Sequence, residues 1–189
     1  MDMSIRDDNS CCFAGHRPKK LPWGYDEESE DCILLKLKLM VQIEEMRRRG
    51  VTTFYTDMAQ GVDIFTAEAV LMLKQAYPSE DMRLIAVIPH EGQANRWSVA
   101  YRERYFNILA AVDSDVCLHP HYTRGCMHER NRYMVERCAH LIAVYGGEAG
   151  GTKNTVEYAR KRGLEIVTIN PREMTVKTDP PFRGFKLIK

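Results

Sequence analysis

Short apolar runs alternate along the chain with longer segments in which apolar residues return every three or four positions. Residues 10–14 (SCCFA) predict a short strand. Residues 26–50 predict a helix, because Cys32, Leu35, Leu39, Ile43 and Met46 fall in helical phase and Gly50 ends it. Residues 51–56 (VTTFYT) are β-branched and aromatic and predict a strand. Residues 63–76 predict a helix with Ala67, Val70, Leu71 and Lys74 in phase and Pro78 beyond its end. Residues 82–88 (MRLIAVI) predict a strand closed by Pro89. The alternation continues with helix 96–111, strand 115–118, helix 129–138, strand 140–145, helix 152–163 and strand 165–170.

Strands separated by helices pair in parallel through right-handed crossovers. Strands this continuously apolar need cover on both faces. The expectation is a three-layer, doubly wound α/β fold with a mainly parallel sheet, forming one domain over residues 1–174. The end, residues 175–189, contains Asp179-Pro180-Pro181 and basic residues and reads as an extended C-terminal tail.

Composition narrows the class. The 189 residues are 44% hydrophobic and 28% charged, enough to bury a full core and too apolar for a disordered chain. Lys+Arg total 27 against Asp+Glu 26, a formal net charge of +1, which argues against a dedicated nucleic-acid binder but leaves room for a local basic patch. No apolar run approaches the roughly 18 residues of a membrane-spanning helix. Residues 1–9 are polar and acidic, unlike a signal peptide. Of six cysteines, Cys11, Cys12, Cys117 and Cys138 lie in apolar segments, so reduced, mostly buried thiols and a cytoplasmic location are expected.

In a parallel sheet, ligands bind off the carboxyl ends of the strands, so the turns that follow strands are where chemistry belongs. The first is Gly15-His16-Arg17-Pro18: the glycine admits a ligand close to the backbone, and the guanidinium suits phosphate or carboxylate. The second, 57–63, brings Ala59, Gln60 and Gly61 to a helix start, where free amides form an anion site; Asp63 is expected to cap that helix. The third runs from Gly146 and Gly147 to Gly150, Gly151 and Thr152, more glycine than a plain connection requires. It matches neither G-x-x-x-x-G-K-[ST] nor G-x-G-x-x-G after a first strand. Thr152 is placed to cap the helix or donate to phosphate.

Residues 119–131 add three histidines and Cys126 close to Cys117. With no C-x-x-C pair the spacing does not favour zinc, and no metal is assigned. The segment reads instead as a loop in which Tyr122 stacks on a base while Arg130 and Asn131 face the crevice. Trp97 and Tyr101 are further stacking surfaces, with a core role the plainer reading. His16 and His90 follow strands directly, where a histidine is an acid, a base or a hydrogen-bonded turn residue; Pro89 completes the rim.

Taken in order, Ala14-Gly15-His16-Arg17-Pro18, Ala59-Gln60-Gly61-Val62-Asp63 with Ala67-Glu68, Ala86-Val87-Ile88-Pro89 with Gln93 and Trp97, Tyr122 with Gly125-Cys126, Arg130-Asn131-Arg132-Tyr133-Met134-Val135, and Ile142-Ala143-Val144-Tyr145 with Gly150-Gly151-Thr152 resemble the YpsA-like proteins. These form a branch of the SLOG superfamily, with DprA and the LOG-type phosphoribohydrolases. The resemblance runs over about residues 11–171 and implies a Rossmann-like domain for a nucleotide-derived ligand of the ADP-ribose or NAD-metabolite type. One departure stands out. LOG-type hydrolases carry G-G-x-G-T-x-x-E, and Thr155 stands here in place of the glutamate. Glu157 lies about 200° further round the helix. Asp57, Asp63, Glu68 and Glu91 are the other carboxylates near the predicted rim.

Three functions therefore stand. The first is a nucleotide binder or sensor in which Gly15, Arg17, Gly61, Gly150, Gly151 and Thr152 hold phosphate. The second is a nucleotide N-glycosidase or phosphoribohydrolase with a different carboxylate. The third is a DprA-like binder of single-stranded DNA, which Glu103, Glu129 and Glu136 among Arg102, Arg104, Arg124, Arg130 and Arg132 disfavour. No cofactor is firmly implied, no membrane partner is expected, and a homodimer is compatible with the long first helix.

Overall fold

The computed structural model describes residues 6–179. Seven strands and five helices alternate: β1 (Asp7–Ala14), α1 (Glu30–Arg48), β2 (Thr53–Thr56), α2 (Val62–Ala76), β3 (Arg83–Ile88), α3 (Val99–Ala111), β4 (Ser114–Cys117), α4 (Cys126–Arg137), β5 (Cys138–Val144), α5 (Gly151–Lys161), β6 (Glu165–Ile169) and β7 (Val176–Asp179). The strand order is β4-β3-β2-β1-β5-β6-β7. Every pairing is parallel except β6–β7. The chain is a Rossmann-like α/β fold.

The alternation of β1 shows why the sheet sits between two helical layers. Cys11 and Phe13 join the core under α1 and α2, where Phe13 stacks on Phe54 with ring centroids 6.1 Å apart. Cys12 and Ala14 point to the other face, among Met134, Val135, Val156 and Ala159 of α4 and α5. α1 starts at Ser29, whose hydroxyl accepts from the Cys32 amide, and buries Cys32, Leu35, Leu39, Ile43 and Met46.

Several expectations change. α3 begins at Val99 behind the cap Ser98, so Arg96 and Trp97 sit in the preceding turn. α4 begins at Cys126 rather than at 129, so the loop read over 119–131 ends at Gly125, and Arg130 and Asn131 lie in the second turn of the predicted helix. Cys117 is exposed, because β4 is the edge strand; all six cysteines are free. From Thr175 the chain does not leave the body at once: Val176–Asp179 pairs antiparallel with β6, and residues 180–189 lie outside the described residues. Among the described residues no helix is long and apolar enough to cross a membrane.

Candidate functional site

β1 and β5 are neighbours, but the chain leaving β1 runs toward β2 and the chain leaving β5 toward β6, on opposite sides. The two turns therefore diverge and open a crevice at the carboxyl edge. A cleft of about 830 Å³ lies there. It brings together Gly15, His16 and Arg17 after β1, Ala59 and Gln60 after β2, Arg130 and Asn131 of α4, and Gly150, Gly151 and Thr152 at the start of α5. Segments up to 137 residues apart meet directly: the Thr152 hydroxyl donates to the Gly15 carbonyl at 3.2 Å.

Two glycines expected to admit a ligand instead admit each other's turns. A Cβ on Gly15 would lie 2.3 Å from Val62 Cβ, and one on Gly61 (φ +90°) would lie 2.7 Å from the His16 carbonyl oxygen. The Val62 amide donates to that same carbonyl at 3.4 Å, so the start of α2 is occupied by the β1 turn rather than open to an anion. The start of α5 differs. Gly150, Gly151 and Thr152 line the cleft, the first helical bond there is Asn154 to Gly150 at 3.1 Å, and a Cβ on Gly151 would meet nothing within 4 Å. Its first-turn amides have no helical acceptor, and Gly151 and Thr152, which carry two of them, line the cleft. Thr152 does not cap this helix; Gly150 holds the cap position.

The floor is an ionic cluster. Arg130, 4% exposed, meets the Asp57 carboxylate at 2.5 Å and donates to Gln93 Oε1 at 3.3 Å and Asn131 Oδ1 at 2.9 Å. Asp57 also accepts from the Ala59 amide at 2.7 Å, across a turn in which Met58 takes φ +55°. Gln93 donates to the Met58 carbonyl at 3.0 Å. Asn131 donates to Thr155 Oγ1 at 2.8 Å, and Thr155 donates to the Gly151 carbonyl at 3.1 Å. Thr155, where LOG-type hydrolases have glutamate, thus ties α4 to α5. Asp63 is not a helix cap. It is 1% exposed, and its Oδ1 has no hydrogen-bond partner among the described residues. Burial, and then the neighbouring Asp57 carboxylate, push its carboxyl well above the usual range.

The rim is basic. Arg17, Lys19, Lys20 and Arg96 line the cleft, and none of them ion-pairs with a carboxylate among the described residues. Lys20 donates to the Ala149 carbonyl at 3.3 Å, spanning the mouth to the glycine turn. By contrast Arg104 is held by Glu27 and Glu68, and Arg132 faces Glu136, so two of the arginines considered for a stripe elsewhere have carboxylate partners. Tyr25 and Trp97 supply aromatic surface; Trp97 also packs edge-on against Tyr105.

Other expected residues lie elsewhere. Tyr122 is 66% exposed outside the cleft, with its ring edge-on to His90. Pro89 is buried at the end of β3, and Gly146 and Gly147 sit behind the rim in the turn. Glu157 points away and faces Lys153 at 3.8 Å. Lys19, Lys20, Tyr25 and Asn154 line the cleft without having been expected there. The lysines carried a signal in their place directly after the Gly15 turn. His119 pairs with Glu129 at 2.6 Å, and the Cys117 thiol donates to the His119 carbonyl, so these groups are engaged with each other.

The chain can now be set beside known proteins. It is 25% identical over 179 residues to a UPF0398 protein of Bacillus pumilus, covering 89% of this chain and 92% of that one. It is 28% identical over 143 residues to the SPbeta prophage-derived protein YoqJ of Bacillus subtilis, covering 69% and 82%. In fold it is similar to DNA processing protein A of Helicobacter pylori, a protein described by its single-stranded DNA binding, with TM-score 0.56 and 16% identity. DprA of Streptococcus pneumoniae gives TM-score 0.50 at 15% identity. The chain spans 65% and 52% of those two proteins while 85% and 89% of it is covered. Residues 11–174 match the family model YpsA, described as the YspA SLOG family. The chain belongs to that family.

Proposed function

We propose that the cleft binds a phosphate-bearing, nucleotide-derived ligand of the ADP-ribose or NAD-metabolite type, in a cytoplasmic protein. The observation that carries this reading is the basic rim of Arg17, Lys19, Lys20 and Arg96, without carboxylate partners among the described residues, beside the open first turn of α5. Cations and free amides on one wall suit phosphate. Tyr25 and Trp97 on the same lining offer a base a stacking surface. The six free thiols are in keeping with a reducing compartment.

Binding without turnover is the better reading of the floor. Asp57 is the only carboxylate among the described residues lining the cleft, and Arg130 and the Ala59 amide already hold it. An N-glycosidase needs a carboxylate free to stabilise an oxocarbenium ion or activate water.

The test is a thermal-shift panel of AMP, ADP-ribose, NAD, cyclic nucleotides and short oligonucleotides. A nucleotide should raise the melting temperature of the parent protein. Arg17→Ala and Gly151→Asp should each abolish that rise, the second by placing an anion at the mouth of α5 where the backbone accepts a side chain. Unchanged shifts in both variants refute the site. Stabilisation by oligonucleotides alone points to the DNA-binding reading, and release of ribose 5-phosphate or free base points to the hydrolase.

A further inference from the structure

α1 is apolar on two sides. Its inner face buries Cys32, Leu35, Leu39, Ile43 and Met46 in the core. Its outer face carries Ile33, Leu34, Leu37 and Val41, all exposed, with Leu37 and Val41 at 59% and 60%. A helix at the surface of a globular protein ordinarily turns polar residues outward. α5 does so, with Asn154, Glu157, Arg160 and Lys161 exposed. Single exposed hydrophobics are ordinary, but four on one helix face between residues 33 and 41 form a patch.

The outer positions are spaced as in a coiled-coil seam. Glu30, Leu34, Leu37, Val41, Glu44 and Arg48 follow one another at alternating steps of four and three residues, so they form one line along the helix. The middle of that line is apolar and its ends carry opposite charge. Glu30 is exposed and has no ion pair among the described residues. Arg48, 66% exposed, reaches Glu44 at 2.9 Å, but Arg47 also holds Glu44 at 2.7 Å, so one carboxylate serves two guanidiniums.

A line of this polarity is complementary to itself reversed. In an antiparallel helix pair about a two-fold axis, Leu37 faces Val41 of the partner subunit and Val41 faces the partner's Leu37. Leu34 then lies on the aliphatic stem of the partner's Glu44, and Glu30 meets the partner's Arg48 at both ends. A parallel pair would instead set acid against acid and arginine against arginine. We propose that this face of α1 binds a second copy of the chain, antiparallel, about a two-fold axis between Leu37 and Val41. One helix per protomer covers less than the roughly 800 Å² per partner of a standard interface, so the dimer belongs to the weak, concentration-dependent class. None of the six seam residues lines the carboxyl-edge cleft, and the pairing stands independently of what that cleft binds.

Sedimentation equilibrium on the full chain from about 1 to 300 µM tests this, a range that brackets micromolar association. The parent should pass from monomer to dimer. Leu37→Glu should raise the dissociation constant more than tenfold while leaving the far-ultraviolet circular dichroism unchanged. Arg48→Glu should weaken the dimer severalfold, and Glu30→Arg in the same chain should restore it. Cysteine pairing reads the direction, in a Cys117→Ser background that removes the exposed thiol. A mixture of Leu37→Cys and Val41→Cys chains should form a disulfide-linked dimer in air faster than either variant alone, whereas a parallel pair would link each variant to itself. A parent that stays monomeric at every concentration overturns the proposal and leaves the face to a different protein. A dimer that Leu37→Glu leaves intact, a charge reversal that Glu30→Arg fails to rescue, or faster self-linking of the single cysteine variants overturns it as well.

Discussion

Asp63 carries the sharpest thermodynamic consequence of any single residue. An unfolded aspartate titrates near 3.9, and the folded group lies well above that. The folded state therefore holds a proton that the unfolded chain has lost. Stability attributable to Asp63 is complete below about pH 4 and declines as pH rises toward the folded value. Asp63→Asn keeps the shape of the buried side chain without the ionisation. Its melting temperature should depend less on pH between about 5 and 9, and should equal or exceed the parent's at the alkaline end. A variant whose pH profile parallels the parent's would show that Asp63 is not held protonated by burial. Gly15 is the steric counterpart. Gly15→Ala drives a methyl into Val62 and should cost about 1–3 kcal/mol in denaturant unfolding, with part returned by Val62→Ala. Neither role was legible in the sequence. A helix-start aspartate and a turn glycine look the same whether they face a ligand or a neighbouring turn, and only the register of β1 against β2 decides.

Among the elements, α5 links cleft to scaffold. Its first turn is anchored by the Thr152 hydroxyl on the Gly15 carbonyl, and its second by Thr155 to Asn131 of α4. Thr152→Val removes the first anchor with little change of volume. It should destabilise by about 0.5–1.5 kcal/mol in chemical denaturation, the usual worth of one hydrogen bond. The elements themselves could be read from periodicity. Every predicted strand and helix exists, because continuous apolar runs and 3.6-residue spacing are written in adjacent residues. The starts of α3 and α4 slipped by three residues each, since Ser98 and Gly125 had to be recognised as boundary residues amid polar turns. Arg96, Trp97, Lys19 and Lys20 belong to irregular segments whose course depends on packing, and no period announces which of them turns toward the cleft.

At the scale of the molecule, a formal charge of +1 conceals an uneven distribution. Among the described residues, most cations away from the cleft have carboxylate partners, as Arg47 has Glu44 and Arg49 has Glu165, while the rim holds four that do not. Nucleotide binding should consequently weaken with ionic strength. Raising NaCl from about 0.05 to 0.5 M shortens the screening length severalfold, and calorimetric affinity for AMP should fall accordingly. Salt-independent affinity would mean that the rim cations do not meet the phosphate.

The sheet ends on both sides in four-residue strands, β4 and β7, dotted with Ser114, Asp115, Lys177 and Asp179. β7 lies antiparallel over the longer, more apolar β6 and is clasped by Arg160 to Asp179 at 2.9 Å. Short, polar margins offer a poor template to another chain's backbone. Shortening the chain before Val176 would uncover the hydrogen-bonding edge of EIVTI, and such a trimmed protein should be the one that gels or precipitates when concentrated.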